Sequence, residues 1–429
     1  MLDLVVIGLG GVGSYALRAA SQIAKEQQRL HTHSKKHAMK ILGIEKFTPC
    51  HEFGSSHGKS RIYRHAYFEH PNYVPLIQYS TDEFKSVQRN NNTKLLEECG
   101  NLIIEDKGLS PNDSIIAKCI KSARQHQIKV ERLSSQDLRE KYPQFHNIDK
   151  MEGLLENGGG FVRPELAIEG ALQDAIDNGA MIWDNMQVEG IREVVDIDSK
   201  QNSKDSFVEI SLANESTTKV IQSRKVIIAA GSWTSRLIPS WSPLLTVTRQ
   251  IQAWVDTTQL TKAPVLPHMI YQSHQMPTWI MRTKQLDAHF FGIPADPYSC
   301  IPSHIKFAIH GRDVEIDPDS RNPPVTDAEN QELRHVFQSF FRDALQFKLT
   351  KSKSCMYTMT PDEHFLIGRP EEFHNVYAAA GLSGHGFKMV PGLGKVLADL
   401  AMNGETDIDV NFLSPTRFCD AHRYRQEMS

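Results

Sequence analysis

The first twenty residues constrain the fold most, because they place a strand, a glycine turn and a helix in the order that a dinucleotide site requires. Residues 3–20 read DLVVIGLGGVGSYALRAA. Gly8 permits the tight turn, Gly10 lets a pyrophosphate approach the backbone, and Gly13 allows the helix to pack close on the strand. The pattern predicts a nucleotide-binding unit; a glycine-rich turn of some other α/β protein is the alternative.

A second apolar strand, KILGIE, ends at Glu45, whose carboxylate is placed to accept hydrogen bonds from ribose hydroxyls. It lies 32 residues after the last glycine of the motif, whereas about 20 is usual. The surplus coincides with a polar stretch at 25–39, which we interpret as an extended first helix or a surface loop. A metal site is the less favoured alternative for its histidines His31, His33 and His37.

Composition narrows the class of protein. The 429 residues are 40% apolar and 23% charged, which suits two packed globular domains. A net charge of −3 gives no reason to expect nucleic acid or an anionic membrane as a partner, so we expect a small molecule. No apolar run approaches the roughly 20 residues that span a bilayer, and the first strand leaves no room for a signal peptide. We therefore expect a cytoplasmic protein, and the six scattered cysteines predict neither a metal site nor a disulfide framework.

Two later segments repeat the pattern of a buried strand followed by glycine: KVIIAAG at 225–231 and NVYAAAG at 375–381. Parallel strands covered on both faces look like this. The alternation of QAWV at 252–255 suits an antiparallel sheet instead. We predict an α/β fold with a Rossmann-type nucleotide domain and an inserted antiparallel-sheet substrate domain. The nucleotide domain would comprise 1–97, 158–240 and 355–429, and the substrate domain 98–157 and 241–354.

The choice between NAD and FAD depends on three further blocks. They are HGKSRIYRHAY at 57–67, CMYT with DEHF at 355–365, and SGHGFK at 383–388. Together with the glycine motif, these blocks resemble the monomeric sarcosine oxidase and N-methyltryptophan oxidase family of FAD-dependent amine oxidases. The resemblance runs nearly end to end.

The resemblance implies a flavin site. Cys355 matches the position at which the family attaches FAD covalently, although a buried structural cysteine is the alternative. His57 and Arg61 match basic residues beside the isoalloxazine ring, where a positive charge favours reduced flavin. The loop with Gly384 and Gly386 precedes a helix predicted at 392–402, and its backbone donors suit negative charge on the flavin.

The resemblance also implies substrate and oxygen sites. Arg64 and Lys388 match the cations that hold the substrate carboxylate. His310 matches a histidine near the substrate amine, and Tyr357 lines the same pocket. Lys306 matches the lysine that activates oxygen. A strand histidine and a surface lysine are the alternatives for His310 and Lys306.

These residues predict oxidation of a secondary, N-methyl amino acid to an imine, with O₂ reduced to H₂O₂, by a monomeric enzyme. Sarcosine and N-methyl-L-tryptophan are the leading substrates. Phe291 stands where the sarcosine enzymes have a tyrosine, so pipecolate, proline and fructosyl amino acids stay open. The alternatives are a dehydrogenase with another acceptor and a non-catalytic FAD-binding module, although a scaffold has no need of a carboxylate clamp.

Overall fold

The computed structural model describes residues 1–30, 38–195, 206–214, 217–258, 270–284, 288–312, 314–320, 323–342 and 348–418. The three histidines of the polar stretch, His31, His33 and His37, lie outside these residues. Within them, no helix is long and apolar enough to cross a membrane.

The described residues form two large sheets, one small sheet and helices that cover them. The strands are β1 Leu2–Ile7, β2 Ile41–Ile44, β3 Arg61–Tyr63, β4 Leu96–Glu97, β5 Asn101–Asp106, β6 Glu131–Leu133, β7 Met151–Glu156, β8 Gly160–Val162, β9 Met181–Trp183, β10 Gln187–Val195, β11 Ser206–Ala213, β12 Thr218–Ile228, β13 Thr246–Asp256, β14 Thr278–Thr283, β15 Ala288–Ile293, β16 His304–His310, β17 Lys348–Met359, β18 Leu366–Gly368 and β19 Val376–Ala380. The helices are α1 Gly11–Leu30, α2 Val74–Asn90, α3 Ile115–Gln125, α4 Ser135–Lys141, α5 Pro164–Asp177, α6 Thr234–Leu237, α7 Asp327–Phe340 and α8 Val390–Met402.

The first large sheet has the parallel centre that its apolar runs predict. Strand β1 lies between β12 and β2, and all three are parallel. Strand β19 pairs in parallel with the other side of β12, and β9 with that of β2. The predictions of buried parallel strands near 225–231 and 375–381 are therefore confirmed, and strands from both ends of the chain meet in one sheet.

The glycine motif folds as the sequence predicts. Gly8 ends β1 with φ +85°, a conformation that favours glycine. A Cβ on Gly13 would overlap the carbonyl oxygen of Gly8, so close packing of α1 on β1 requires glycine there. Helix α1 continues through the first part of the polar stretch to Leu30, in agreement with an extended first helix.

The second large sheet has the order β17-β13-β16-β15-β14-β5-β7-β6. Its pairings are antiparallel except for β14 with β5, which run parallel. Helix α7 begins with a capping box between Thr326 and Glu329 and packs its apolar side against this sheet. Strand β17 runs to Met359 and thus crosses the domain boundary predicted after 354. The exact domain boundaries stay a prediction, whereas the α/β fold with a nucleotide-type sheet and a largely antiparallel second sheet is confirmed.

Candidate active site

A long cleft opens where the central strands of the first sheet end, and its empty space is about 1620 Å³ with the open mouth included. Ligands of open α/β sheets bind at the carboxyl ends of the strands, which is where this cleft lies. The predicted residues that line it are Gly8, Gly10, Glu45, Arg61, Tyr357, Gly384 and Gly386.

Glu45 is held rigidly in this cleft. The backbone N–H of Leu9 donates to its Oε2 at 2.8 Å, and that of Phe47 donates to Oε1 at 3.0 Å. The side chain is buried, and His51 Nε2 lies 3.5 Å from Oε1. The carboxylate thus stands next to the glycine turn, where a ribose follows a pyrophosphate in a dinucleotide.

The cleft fits a dinucleotide at the glycine turn. A Cβ on Gly10 would have only Ser56 Oγ within 4 Å, at 3.6 Å, so the backbone there faces open space. Helix α1 begins at Gly11, and its N-terminus supplies backbone donors and a positive dipole end to a phosphate. The residues present therefore fit FAD, with Gly10 and the start of α1 at its phosphates and Glu45 at its ribose.

A second, inner pocket adjoins the long cleft. Both cavities are lined by Arg61, Tyr357, Gly384 and Phe387, so they share a wall. The predicted residues of the inner pocket are Arg61, Arg64, Lys306, His310, Cys355, Tyr357, Gly384 and Lys388. Of the predicted site residues, Gly13 and His57 line neither cavity, and Gly13 acts through packing.

Strand pairing explains why these distant residues meet. Lys306 and His310 lie on β16 an even number of residues apart, so they share one face of the second sheet. Cys355 and Tyr357 share a face of β17 in the same way, and Gln250 of β13 is paired with Cys355. The face that looks toward the first sheet therefore carries the polar residues of the inner pocket.

Lys306 is buried and donates to the carbonyl oxygens of Gly58 at 2.9 Å and Ser60 at 2.8 Å. Burial, and then repulsion by Arg61, lower the pKa of Lys306 well below its usual value. Burial therefore disfavours the charged form of Lys306, and the two groups that accept from it are neutral carbonyls.

Cys355 is also buried, with its Sγ 3.9 Å from the carbonyl oxygen of Ser55. His57 lies behind the cavities with 1% of its surface exposed, and both ring nitrogens lack a hydrogen-bond partner among the described residues. Burial, and then Arg61, lower the pKa of His57 to about 2. His57 is thus neutral here, and of the two predicted basic residues only Arg61 carries charge into the cavities.

Arg64 is more constrained than a carboxylate clamp alone predicts. Its guanidinium lies 4.3 Å from the ring centre of Tyr67 and 4.1 Å from that of Phe68, between two nearly parallel rings. One terminal nitrogen donates to both carboxylate oxygens of Glu69, at 2.9 and 2.8 Å, and the other to the carbonyl of Ala66. Arg64 is therefore already paired with a carboxylate of the protein itself.

Glu69 sits among positive groups. Burial alone would raise the pKa of Glu69, but attraction by the guanidinium of Arg64, with a smaller contribution from Lys388, outweighs burial and lowers the pKa to about 2. The carboxylate is ionised at neutral pH. It occupies the position at Arg64 that a substrate carboxylate would need.

Lys388 is the second buried cation of the pocket. Its Nζ donates to the carbonyl oxygen of His385 at 2.6 Å and lies 5.2 Å from the ring centre of Tyr67. Burial, and then repulsion by Arg64, lower the pKa of Lys388 to about 7. An ammonium has three protons, so this hydrogen bond leaves two for a ligand.

His385 is fixed in one tautomer. Its Nε2 lies 3.0 Å from the carbonyl oxygen of Glu363, which only accepts, so Nε2 carries the proton. Its Nδ1 then accepts from the hydroxyl of Tyr67 at 2.5 Å. His385 and Tyr67 thus hold each other, and through them the two cations Arg64 and Lys388.

His310 and Tyr357 form the polar wall nearest the long cleft. His310 Nδ1 lies 3.3 Å from the hydroxyl of Tyr357, and burial lowers the pKa of the histidine. A Cβ on Gly384, which has φ +78°, would overlap the ring of Tyr357. Glycine in the SGHG block therefore lets Tyr357 reach the wall that both cavities share.

Sequence reasoning missed several pocket residues. Glu69 follows Arg64 by only five residues, and an acid so near a predicted carboxylate clamp was a signal for an internal ion pair. For the SGHG loop the sequence predicted a role of the backbone donors only, so the side chain of His385 was not expected in the pocket. His289 gave no signal, because its place at the pocket depends on how β15 pairs with β16. Phe68, in the segment after β3, gave none either.

The fold and the two adjoining cavities are those of a dinucleotide-binding enzyme with buried cations in its inner pocket. The family model of FAD dependent oxidoreductases matches residues 3–400, and the chain belongs to this family. It is 29% identical over 423 residues to the monomeric sarcosine oxidase of Streptomyces avermitilis, covering 98% of both chains. It is 30% identical to the N-methyl-L-tryptophan oxidase of Yersinia pestis, covering 97% of this chain and 99% of that one.

Solved structures agree on the fold. NikD, an amino acid oxidase essential for nikkomycin biosynthesis, aligns with a TM-score of 0.73 at 20% identity, covering 96% of this chain and 97% of NikD. The L-proline dehydrogenase of P. horikoshii aligns with a TM-score of 0.73 at 19% identity, covering 98% of each chain. The chain is thus an FAD-dependent oxidoreductase, as its glycine motif and the three further blocks predicted.

Proposed function

We propose that the enzyme oxidises the CH–NH bond of a secondary, N-methylated amino acid to an imine and that O₂ accepts the electrons as H₂O₂. The observation that carries the proposal is the pair of buried cations, Arg64 and Lys388, in a pocket that shares a wall with the dinucleotide cleft. Two buried cations beside a flavin site suit a small substrate with a carboxylate. The relatives named as oxidases of sarcosine and N-methyl-L-tryptophan support the same class.

FAD held at the glycine turn, the start of α1 and Glu45 would supply an acceptor for the hydride of the substrate and a route for the two electrons to oxygen. Lys388 donates one proton to the carbonyl oxygen of His385 and binds the substrate carboxylate with the other two. Arg64 also binds the substrate carboxylate, which displaces the carboxylate of Glu69 from the guanidinium. Binding thus replaces one buried carboxylate by another. The basic nitrogen of His310 and the hydroxyl of Tyr357 then face the substrate amine, which must be uncharged to lose hydride.

Anaerobic mixing of the purified protein with a panel of N-methyl amino acids tests the proposal. We expect a substrate to bleach the flavin absorbance, and one H₂O₂ to form per amino acid once air is admitted. Failure of every N-methyl amino acid to bleach the flavin would contradict the substrate class. Bleaching without peroxide would instead favour a dehydrogenase that uses another acceptor.

We also propose that FAD is attached through a thioether at Cys355. Support comes from its burial in the inner pocket, one residue from Met356 and two from Tyr357, which line the long cleft. Acid precipitation should leave the flavin in the wild-type pellet and release it from Cys355→Ser. Cys99→Ser, at a partly buried cysteine that lines neither cavity, is the control and should keep its flavin. A colourless wild-type pellet would return Cys355 to a structural role.

A further inference from the structure

The lining of the inner pocket changes from charged to mainly apolar along its length. Arg64, Lys388 and Glu69 lie at its charged end. Next to this end, beginning with Phe68 on the guanidinium of Arg64, four residues form a rim that is apolar except for one imidazole: Phe68, Ile280, His289 and Phe291. Phe68, His289 and Phe291 are only partly buried, so this rim is the more open part of the pocket.

Strand pairing fixes His289 at the rim. On β15 it lies directly opposite His310 of β16, and neighbours in a strand pair point to the same face of a sheet. The two imidazole rings are nearly parallel, at 13°, with centres 6.5 Å apart. On the other side the ring meets Phe68 edge to face at 6.3 Å. His289 therefore stands between the wall that faces the substrate amine and the apolar rim.

The chemistry of His289 is that of a neutral imidazole. Burial, and then His310 and Arg282, lower its pKa to about 4. At neutral pH one ring nitrogen therefore donates and the other accepts. Among the described residues no hydrogen bond to either nitrogen is found, while Arg282, the neighbour on β14, donates to the carbonyl oxygen of Asp113. His289 thus offers one donor and one acceptor to a ligand.

We propose that His289 is a specificity-determining residue, which hydrogen-bonds an uncharged polar atom of the substrate's side chain while the other rim residues contact its flat apolar part. The inference rests on the proposed function, because the carboxylate at Arg64 and Lys388 directs the side chain away from the cations. The substrate class is an N-methyl amino acid with an aromatic side chain that carries a polar ring atom. Sarcosine, which has no side chain, makes none of these contacts.

Two physical reasons favour this class over others. Phe68, Ile280 and Phe291 offer no polar group to a second carboxylate or ammonium, and leaving such a charge unpaired at a partly buried rim is costly. Aromatic rings prefer offset or edge contacts with other rings, which Phe68 and Phe291 provide. The imidazole then distinguishes a ring that carries an N–H from one that does not.

Specificity constants in matched variants test the proposal. We compare kcat/KM for N-methyl-L-tryptophan, N-methyl-L-phenylalanine and sarcosine in wild type, His289→Leu and His289→Gln. His289→Leu should lower the tryptophan to phenylalanine ratio about three- to tenfold, the value of one hydrogen bond. His289→Gln, which keeps a donor and an acceptor, should recover part of the ratio. His335→Leu, on helix α7 and outside both cavities, is the control and should leave the ratio unchanged.

A binding measurement separates this inference from the proposed function. Indole-3-propionate and 3-phenylpropionate have no amine to oxidise, and their Kd follows from the change in flavin absorbance. His289→Leu should weaken the indole analogue more than the phenyl analogue by the same factor. If no N-methyl amino acid is oxidised but this difference persists, the proposed function fails and the rim assignment stands. Equal ratios in wild type and His289→Leu, or a wild type that prefers sarcosine, would overturn the assignment.

Discussion

We expect substrate binding to depend on pH through Lys388, because its pKa of about 7 makes its charge variable near neutrality. The ammonium is present below pH 7 and lost above it, so affinity for a carboxylate should fall as the pH rises. Losing one charge of a desolvated pair costs about 2 to 5 kcal/mol, so the Kd of 3-phenylpropionate should rise roughly 30-fold or more between pH 6 and 9. Lys388→Arg stays protonated and should show a flat profile. A wild-type Kd independent of pH would exclude Lys388 from carboxylate binding.

Also at the residue scale, we expect Lys306 to act in only one of the two half-reactions. The amino acid gives up hydride without needing this group, whereas electron transfer to oxygen builds negative charge in a buried cleft. Lys306→Met should therefore keep anaerobic flavin reduction within about tenfold of wild type and slow reoxidation by about 10²- to 10³-fold. Stopped-flow absorbance of each half-reaction measures both. Equal slowing of the two would make Lys306 a structural or substrate residue, and unchanged reoxidation would place oxygen activation elsewhere.

At the scale of elements, the contact between α1 and β1 depends on the absence of a side chain at Gly13. A Cβ on Gly13 would overlap the backbone oxygen of Gly8, which cannot move without breaking the turn. Gly13→Ala should lower the Tm by several degrees, since overpacking costs about 1 to 3 kcal/mol, and should reduce the FAD content. Gly190→Ala, which meets nothing within 4 Å in β10, is the matched control. A Gly13→Ala protein with a full complement of FAD would contradict this account of the motif.

The elements that the sequence predicted are those whose signals are local. An apolar run followed by glycine identified β1, β12 and β19, because the apolar pattern of the strand and the glycine of its turn both lie within a few adjacent residues. The parallel pairing of β14 with β5 and the passage of β17 across the predicted boundary carry no such signal, since they depend on which distant strands meet. The pairing of Arg64 with Glu69, and the place of His289, escaped prediction for the same reason.

At the scale of the whole molecule, one carboxylate links a segment that hydrogen-bonds β13 of the second sheet to residues of the long cleft. Asp319, in the segment that follows β16, accepts from Trp233 Nε1 at 2.7 Å and from Lys46 at 3.0 Å and pairs with Arg236. Its three partners all line the cleft on the side of the first sheet. These contacts of Asp319, which we call the clasp, therefore hold the segment after β16 against the wall of the cleft.

Removing this clasp should loosen the cofactor and leave the fold intact. The ion pairs are partly exposed and each contributes at most about 1 kcal/mol, so Asp319→Ala should raise the Kd of FAD by roughly fivefold. The Cys355→Ser background makes this Kd measurable by flavin fluorescence. Asp149→Ala, which breaks a surface ion pair with Arg139 away from the cleft, is the control. Unchanged FAD affinity in Asp319→Ala would reduce the clasp to a surface contact.

The pairing of β12 with both β1 and β19 also determines when during translation the cofactor cleft can be completed. Strand β1 is made well before β19, which belongs to the same sheet and ends at Ala380. The loop after β19, through Phe387, lines the cleft. Helix α8, later still, packs on α1. A nascent chain therefore carries the glycine turn for most of its translation without a complete cleft around it. Flavin loading has to wait until β19 and the loop after it have been made, so ribosome-bound chains halted before β19 should emerge colourless.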